Sequence, residues 1–159
     1  MKKCYYTWAK EFAKEHIAPY ADKIDREAKF PKEIFDKIAE EGFFKILVPE
    51  EFGGERGGAY EHAQVSRAFG EACATVGLCY TMNNVALKFT LTFGRDEIKQ
   101  QVVKDIMENN KFMSLARSEF GTGVHVFNSQ TETENHEDYS VINGVKSMIS
   151  SGGYASYYV

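Results

Sequence analysis

Residues 115–128 read LARSEFGTGVHVFN. Gly121 and Gly123 bracket Thr122. Glycine has no Cβ, so the chain can turn tightly there and offer bare backbone N–H groups to an anion. The chemistry on offer is phosphate binding. The pair lacks a third glycine and no helical pattern follows it, so an ordinary loop carries the same signature. His125 lies beside it, as a turn residue or as a contact to a phosphate. Glu50, Glu51 and Glu55 form an acidic cluster. No histidine is spaced to join them as metal ligands, so they read as a solvated loop edge. His16 and His62 fall on helical patterns and read as surface residues, and Lys146 reads as a strand-surface charge. Cys4, Cys73 and Cys79 include no C-x-x-C pair. Cys73 and Cys79 sit among apolar residues and read as buried thiols of a reducing compartment, not as zinc ligands or a disulfide.

These residues need a scaffold, and the chain is long enough to build one. Its 159 residues suffice for one domain with a core and are marginal for two. Apolar residues make up 43% and charged residues 26%, the balance of a soluble globular protein. A net charge of −4 argues against a nucleic-acid surface or a general anionic-membrane binder. The start, MKKCYYTWAKEF, has lysines but no continuous apolar stretch of the secretory kind. No apolar run approaches the ~18 residues of a membrane span. A cytoplasmic protein is the expectation, and a mitochondrial matrix protein after processing has the same features.

Tyr5, Trp8, Ala9, Phe12, Ile17, Tyr20 and Ile24 recur at helical spacing, interrupted by Pro19. The helix either kinks there or stops near Ala18 and restarts. Pro31 suits the first turn of a second helix with Ile34, Phe35 and Ile38 on one face, and Gly42 suits its left-handed end. The stretch FFKILVPEEFGGERGG predicts a loop, ordered at its start and mobile at its glycines. Helical patterning returns from Tyr60 to Phe93. Val65, Phe69 and Cys73 share a face, and Leu78, Met82, Val85, Phe89 and Leu91 predict a helix buried on most sides. Tyr80, Met82, Phe89 and Phe93 read as core. Gly70 and Gly77 mark either a close-packing site or a break between two helices. RDEIKQQVVKDIMENN predicts one more helix, with Ile98, Val102 and Ile106 on its face.

After Lys111 the texture changes to short segments in partial alternation: FMSLARSE, SQTETEN, DYSVING, VKSMISS and YASYYV. Asn143-Gly144 is the strongest hairpin signal in the chain. The order predicts an α+β protein: an all-α helical domain over residues 1–110, then the start of a β-domain over 111–159. The final strand pattern runs to the last residue, which suggests a chain that is incomplete or that needs a partner or a neighbouring segment.

In this order, the pieces resemble the amino-terminal part of the acyl-CoA dehydrogenase family. FAKEHIAPYADKIDREAKFPKEIFDKIAEEGFFKILVPEEFGG is similar to the family's first two helices and the loop after them. FGRDEIKQQVVKDI resembles the helix that leads into the β-domain. LARSEFGTG occupies the place of the T-E-P-G-x-G-S strand. DYSVINGVKSMISSGGYASYYV resembles the hairpin G-Y-x-x-N-G-x-K-x-F/W-I-T/S-x-G/A. The resemblance covers essentially the whole chain. It implies the first strands of a barrel-like middle β-domain, cut short here.

The resemblance implies FAD as cofactor and an acyl-CoA thioester as substrate. The backbone of Leu115 and Arg117 and the hydroxyl of Ser118 would face the pyrimidine part of the flavin. Gly123 and Val124 would approach its pyrophosphate, Val124 also standing at the substrate position. Met148 and Ser150 would lie by the other side of the ring. The region of Phe89, Phe93, Tyr80 and Met82 would sit near the acyl tail, and His125 could contact a phosphate or the thioester. An electron-transfer flavoprotein is the implied partner and homo-oligomerisation is compatible with the family; no nucleic acid or membrane partner is expected. Four positions depart from the family pattern: Phe120 replaces a proline, Val124 a serine, His125 an acidic residue and Met148 an aromatic. In the family the catalytic base is a glutamate of the carboxy-terminal domain, so no residue of this chain is assigned that role. The chain alone is expected not to turn over acyl-CoA. Two other readings stay open: an interaction module that kept the fold and lost the chemistry, and a related flavin monooxygenase or nitroalkane oxidase.

Overall fold

A computed structural model describes residues 4–123, 125 and 127–159. The helices are α1 (Tyr5–His16), α2 (Ala21–Glu27), α3 (Lys32–Glu40), α4 (Ala59–Ala72), α5 (Ala74–Phe93) and α6 (Asp96–Asn109). Four short strands follow: β1 (Met113–Ser114), β2 (Glu132–Asn135), β3 (Ser140–Asn143) and β4 (Tyr157–Tyr158). β1 pairs in parallel with β4, and β2 pairs antiparallel with β3. Helices therefore precede strands, as the patterning predicts.

Local chemistry sets the helix ends. Proline has no N–H to give, so α1 stops at His16, a 3-10 turn spans Ala18–Tyr20, and α2 restarts at Ala21. Of the two readings at Pro19, stop-and-restart is the one found. Pro31 precedes α3, and Gly42 beyond it takes φ 91, the left-handed conformation. The core is aromatic at its centre. Trp8 stacks on Phe43 with centroids 3.8 Å apart, and Phe69 meets Phe43 and Tyr80 edge-on at 5.0 and 5.1 Å. Phe112 packs on Phe30 and Phe35, so the start of the strand segment belongs to the same core.

Both readings of the Gly70–Gly77 region hold. The chain breaks at Cys73, whose backbone is extended, and α5 then folds back on α4. A Cβ at Gly77 would lie 2.7 Å from the Cα of Gly70, so the glycine permits the close approach.

Several expectations are corrected. The glycine loop is tied down: the N–H groups of Glu55, Arg56 and Gly57 donate to the carbonyls of Lys45, Val48 and Ile46 at 3.1, 2.9 and 2.6 Å. A Cβ at Gly54 would sit 2.1 Å from the Val48 carbonyl oxygen, so that glycine serves packing, not motion. Asn143-Gly144 is not the hairpin turn. The turn lies between Asn135 and Ser140, closed by His136 N–H to the Tyr139 carbonyl at 2.8 Å. FMSLARSE contributes only two strand residues, and VKSMISS contributes none. On α5 the buried face is Val76, Cys79, Tyr80, Asn83, Ala86 and Leu87. Leu78, Phe89 and Phe93 are instead 55%, 46% and 76% exposed, so the core reading holds for Tyr80 and fails for Phe89 and Phe93. Ile98 of α6 is also exposed. His62 is not a surface residue: its ring stacks on Tyr80 at 5.7 Å and its Nδ1 is buried without a partner.

Candidate functional site

The site residues named from sequence fall on two segments, 115–123 and 148–150, that the helices hold in place. Asn83 of α5 is fully buried, and its Oδ1 accepts the Met113 N–H at 2.8 Å. That bond fixes where β1 begins. Ala116 donates its N–H to the Val159 carbonyl at 2.7 Å, and Val159 donates to the Ser114 carbonyl at 3.0 Å. Extended backbone alternates its edges. Ser114 and Ala116 thus face β4, while the N–H groups of Leu115 and Arg117 have no acceptor among the described residues.

Ser118 comes next in the chain and is exposed. Its carbonyl accepts the Ser147 N–H at 2.7 Å, which draws the second segment alongside. The Ser114 hydroxyl donates to the Ser150 carbonyl. Ser150 is half-buried, while Met148 is 85% exposed with φ 50. Gly121 and Gly123 both take positive φ, 88 and 51, which is the tight turn their composition predicts. The Thr122 hydroxyl donates to the Glu119 carbonyl at 3.1 Å, and His125 donates its N–H to the Thr122 carbonyl at 2.9 Å. His125 is therefore part of the turn. Val124 lies outside the described residues. A hollow of about 50 Å³ opens between Arg117, Ser118, Glu119, Thr122, Gly123 and Ser129.

Sequence reasoning missed the residue that organises this turn. The Glu119 side chain is 3% exposed and accepts from the Ser129 hydroxyl, the Thr131 hydroxyl and the Gln130 N–H at 2.6, 2.6 and 2.5 Å. It also pairs with the Lys146 ammonium. Lys146, with the hydroxyl and backbone donors after it, holds the Glu119 carboxyl well below the usual carboxylate range. Lys146 is thus neither in a strand nor a plain surface charge. A carboxylate and a lysine separated by 26 intervening positions give no local signal. Asn83 did leave one: a buried asparagine within an apolar helical run must find a partner.

Elsewhere, Tyr5 donates its hydroxyl to Glu55 at 2.6 Å, so the acidic loop edge is bound to α1, and burial with this bond pushes Tyr5 up to about 12. A cavity of about 270 Å³ lies among α1, α2 and α3 beside Lys23, Ile24, Phe30 and Lys37, and shares no residue with the two segments.

Residues 4–110 match the family described as acyl-CoA dehydrogenase, N-terminal domain. A 3-(aryl)acrylate reductase of Clostridium sporogenes is 32% identical over 143 residues, 89% of this chain and 38% of the relative. A probable acyl-CoA dehydrogenase of Bacillus subtilis is 33% identical over 147 residues, 92% of this chain and 39% of the relative. The chain thus spans about two fifths of the length of these curated relatives. A chain in the solved structure of the electron transferring flavoprotein of Acidaminococcus fermentans superposes with TM-score 0.88 at 26% identity, over 98% of this chain and 41% of that one. Butyryl-CoA dehydrogenase from Megasphaera elsdenii shares the fold, with TM-score 0.86 at 21% identity over 96% of this chain and 42% of that one.

Proposed function

The chain belongs to the acyl-CoA dehydrogenase family, and from that premise we propose that it supplies the amino-terminal part of a flavin site that oxidises acyl-CoA thioesters at the α,β carbons. The observation that carries this reading is the open edge of residues 115–118. Two backbone N–H groups two residues apart, Leu115 and Arg117, face away from the strand pairing with the Ser118 hydroxyl next in line. A flavin needs such donors along its polar edge, and the positive-φ turn at Gly121 and Gly123 suits an anionic pyrophosphate. Met148 offers a polarisable apolar surface on the second segment, with Ser150 beside it. Val124 brings no polar group, and Arg117 lines the hollow together with Ser118 and Gly123. The residues present fit FAD.

A flavin held by Leu115, Arg117, Ser118 and the Gly121–Gly123 turn would supply a hydride acceptor for the substrate β-carbon. The chain's own residues orient the ring and exclude water from one side. We assign the proton acceptor to no residue of this chain and propose that a carboxy-terminal part supplies it. General-base catalysis is worth roughly 10²–10⁴ in rate, so the chain alone is expected to be inactive. The exposed stripe of Leu78, Phe89 and Phe93 on α5 fits the same picture, as the face on which the remaining domain packs. The division between the helical domain and the β-domain is placed at residue 110. The electron acceptor proposed is an electron-transfer flavoprotein, and homo-oligomerisation is compatible with the reading. Buried thiols at Cys73 and Cys79 suit a reducing compartment, and we place the protein in the cytoplasm, in fatty-acid metabolism.

The test is FAD titration of the 159-residue chain, followed by flavin absorbance and fluorescence, with and without a family carboxy-terminal half. Binding only in the presence of that half is the expected result. Binding in neither case overturns the reading and favours an interaction module.

A further inference from the structure

The two segments of the proposed flavin edge are joined by few backbone bonds. Among the described residues, Ser118 is bonded directly to the second segment by Ser147 alone. The Ser114 hydroxyl bond to the Ser150 carbonyl is a second link, and Glu119 adds a set of side-chain bonds. Its Oε1 accepts from Ser129, Thr131 and Lys146, and its Oε2 accepts from the Gln130 N–H. The Thr131 N–H also reaches Oε1, at 3.2 Å. The residue just before Glu119 is Ser118, and the residue just after Lys146 is Ser147. The ion pair therefore brackets the bond from Ser147 to Ser118.

We propose that Glu119 and Lys146 are a positioning pair: a buried clamp that holds Ser118 and the Gly121–Gly123 turn against residues 147–150, so that the flavin-binding edge is formed before any ligand arrives. What the edge binds rests on the function proposed above.

Every group aimed at the Glu119 side chain is a donor. Only an ionised carboxylate answers them all. Glutamine has nearly the same shape but turns an NH₂ toward these donors, leaving buried N–H or O–H groups unpaired. Removing the lysine strands a buried carboxylate without its counter-charge, which is costly. Arginine at 146 keeps the charge. The clamp also explains Gly144: a Cβ there would lie 2.4 Å from the Thr131 hydroxyl, so glycine lets the chain pass the clamp on its way to Lys146.

The test compares wild type, E119Q, K146M and K146R by amide hydrogen exchange on the full chain, and by FAD titration in the presence of the carboxy-terminal half. In E119Q the amides of Gln130, Thr131 and Ser147 are expected to exchange about tenfold faster or more, the equivalent of roughly one lost hydrogen bond. The amides of α1, α4 and α5 keep their protection, which shows the fold intact. FAD affinity falls by a similar factor. K146M behaves like E119Q and K146R recovers most of the protection. Unchanged exchange at Gln130, Thr131 and Ser147 in E119Q overturns the clamp. Faster exchange with undiminished FAD affinity overturns its positioning role. If wild type binds no FAD in either form, the functional reading fails and the positioning role with it, while the exchange data still decide whether the clamp exists.

Discussion

Tyr80 is the bulkiest fully buried side chain among the described residues, and its hydroxyl donates to the Phe43 carbonyl at 3.1 Å. Against that ring lies His62, whose pKa burial lowers. The unfolded chain protonates this imidazole near pH 6.5, the folded protein only at lower pH. The unfolded state therefore binds more protons in that interval. The stability owed to neutral His62 is fully present above about pH 6.5 and is lost as pH falls through the folded value. Replacing His62 with Phe keeps a ring on Tyr80 and removes the proton site. Urea midpoints measured from about pH 7.5 to about pH 5 are expected to fall less steeply for the variant; parallel curves would locate the acid sensitivity elsewhere. Histidine at a helical position carries no mark of which way it faces, so its burial was not legible in the sequence. Glu119 was hidden for a different reason: its partners are a distant lysine and donors whose direction only the folded loop sets. Leu115, Arg117 and Ser118 were named from a resemblance to a motif, where spacing alone gave no signal.

Helix and strand chemistry was legible wherever a single residue dictates the backbone. Pro19, Pro31 and Gly42 mark the ends they were read to mark. Asn143-Gly144 misled because the same dipeptide serves two purposes, a turn with positive φ or a close approach, and here it serves the second. The glycine pair between α4 and α5 gives a test with two signs. Gly77→Ala drives a Cβ to 2.7 Å from Gly70 Cα, whereas a Cβ at Gly70 meets nothing within 4 Å. Gly77→Ala is expected to cost about 1–3 kcal/mol by overpacking. Gly70→Ala is expected to gain up to about 1 kcal/mol through helix propensity. Chemical denaturation of both variants checks the pair, and equal effects would mean that the helices do not meet through these glycines.

For the molecule as a whole, the apolar stripe on α5 is the feature that patterning got backwards. Leu78, Met82, Val85, Phe89 and Phe93 recur on one face, and periodicity reports only that the face is apolar, not what covers it. Replacing Leu78, Phe89 and Phe93 together with Ser should leave the stability of the isolated chain within roughly 0.5 kcal/mol per exposed site. The same variant should lose its ability to take up FAD with the carboxy-terminal half. Retained uptake would remove the stripe from the proposed domain contact. The pairing of β1 with β4 has a consequence of another kind. It joins Met113 to Tyr157 through a two-residue ladder, closing a long stretch of intervening chain. Such closure costs roughly 3 kcal/mol of chain entropy before any rung rewards it. Each strand is meanwhile moored to a helix, Met113 by Asn83 of α5 and Tyr157 by its hydroxyl on Asp105 of α6. The ladder can form only on a surface the helices have already built, so the edge of Leu115 and Arg117 is a late event in folding.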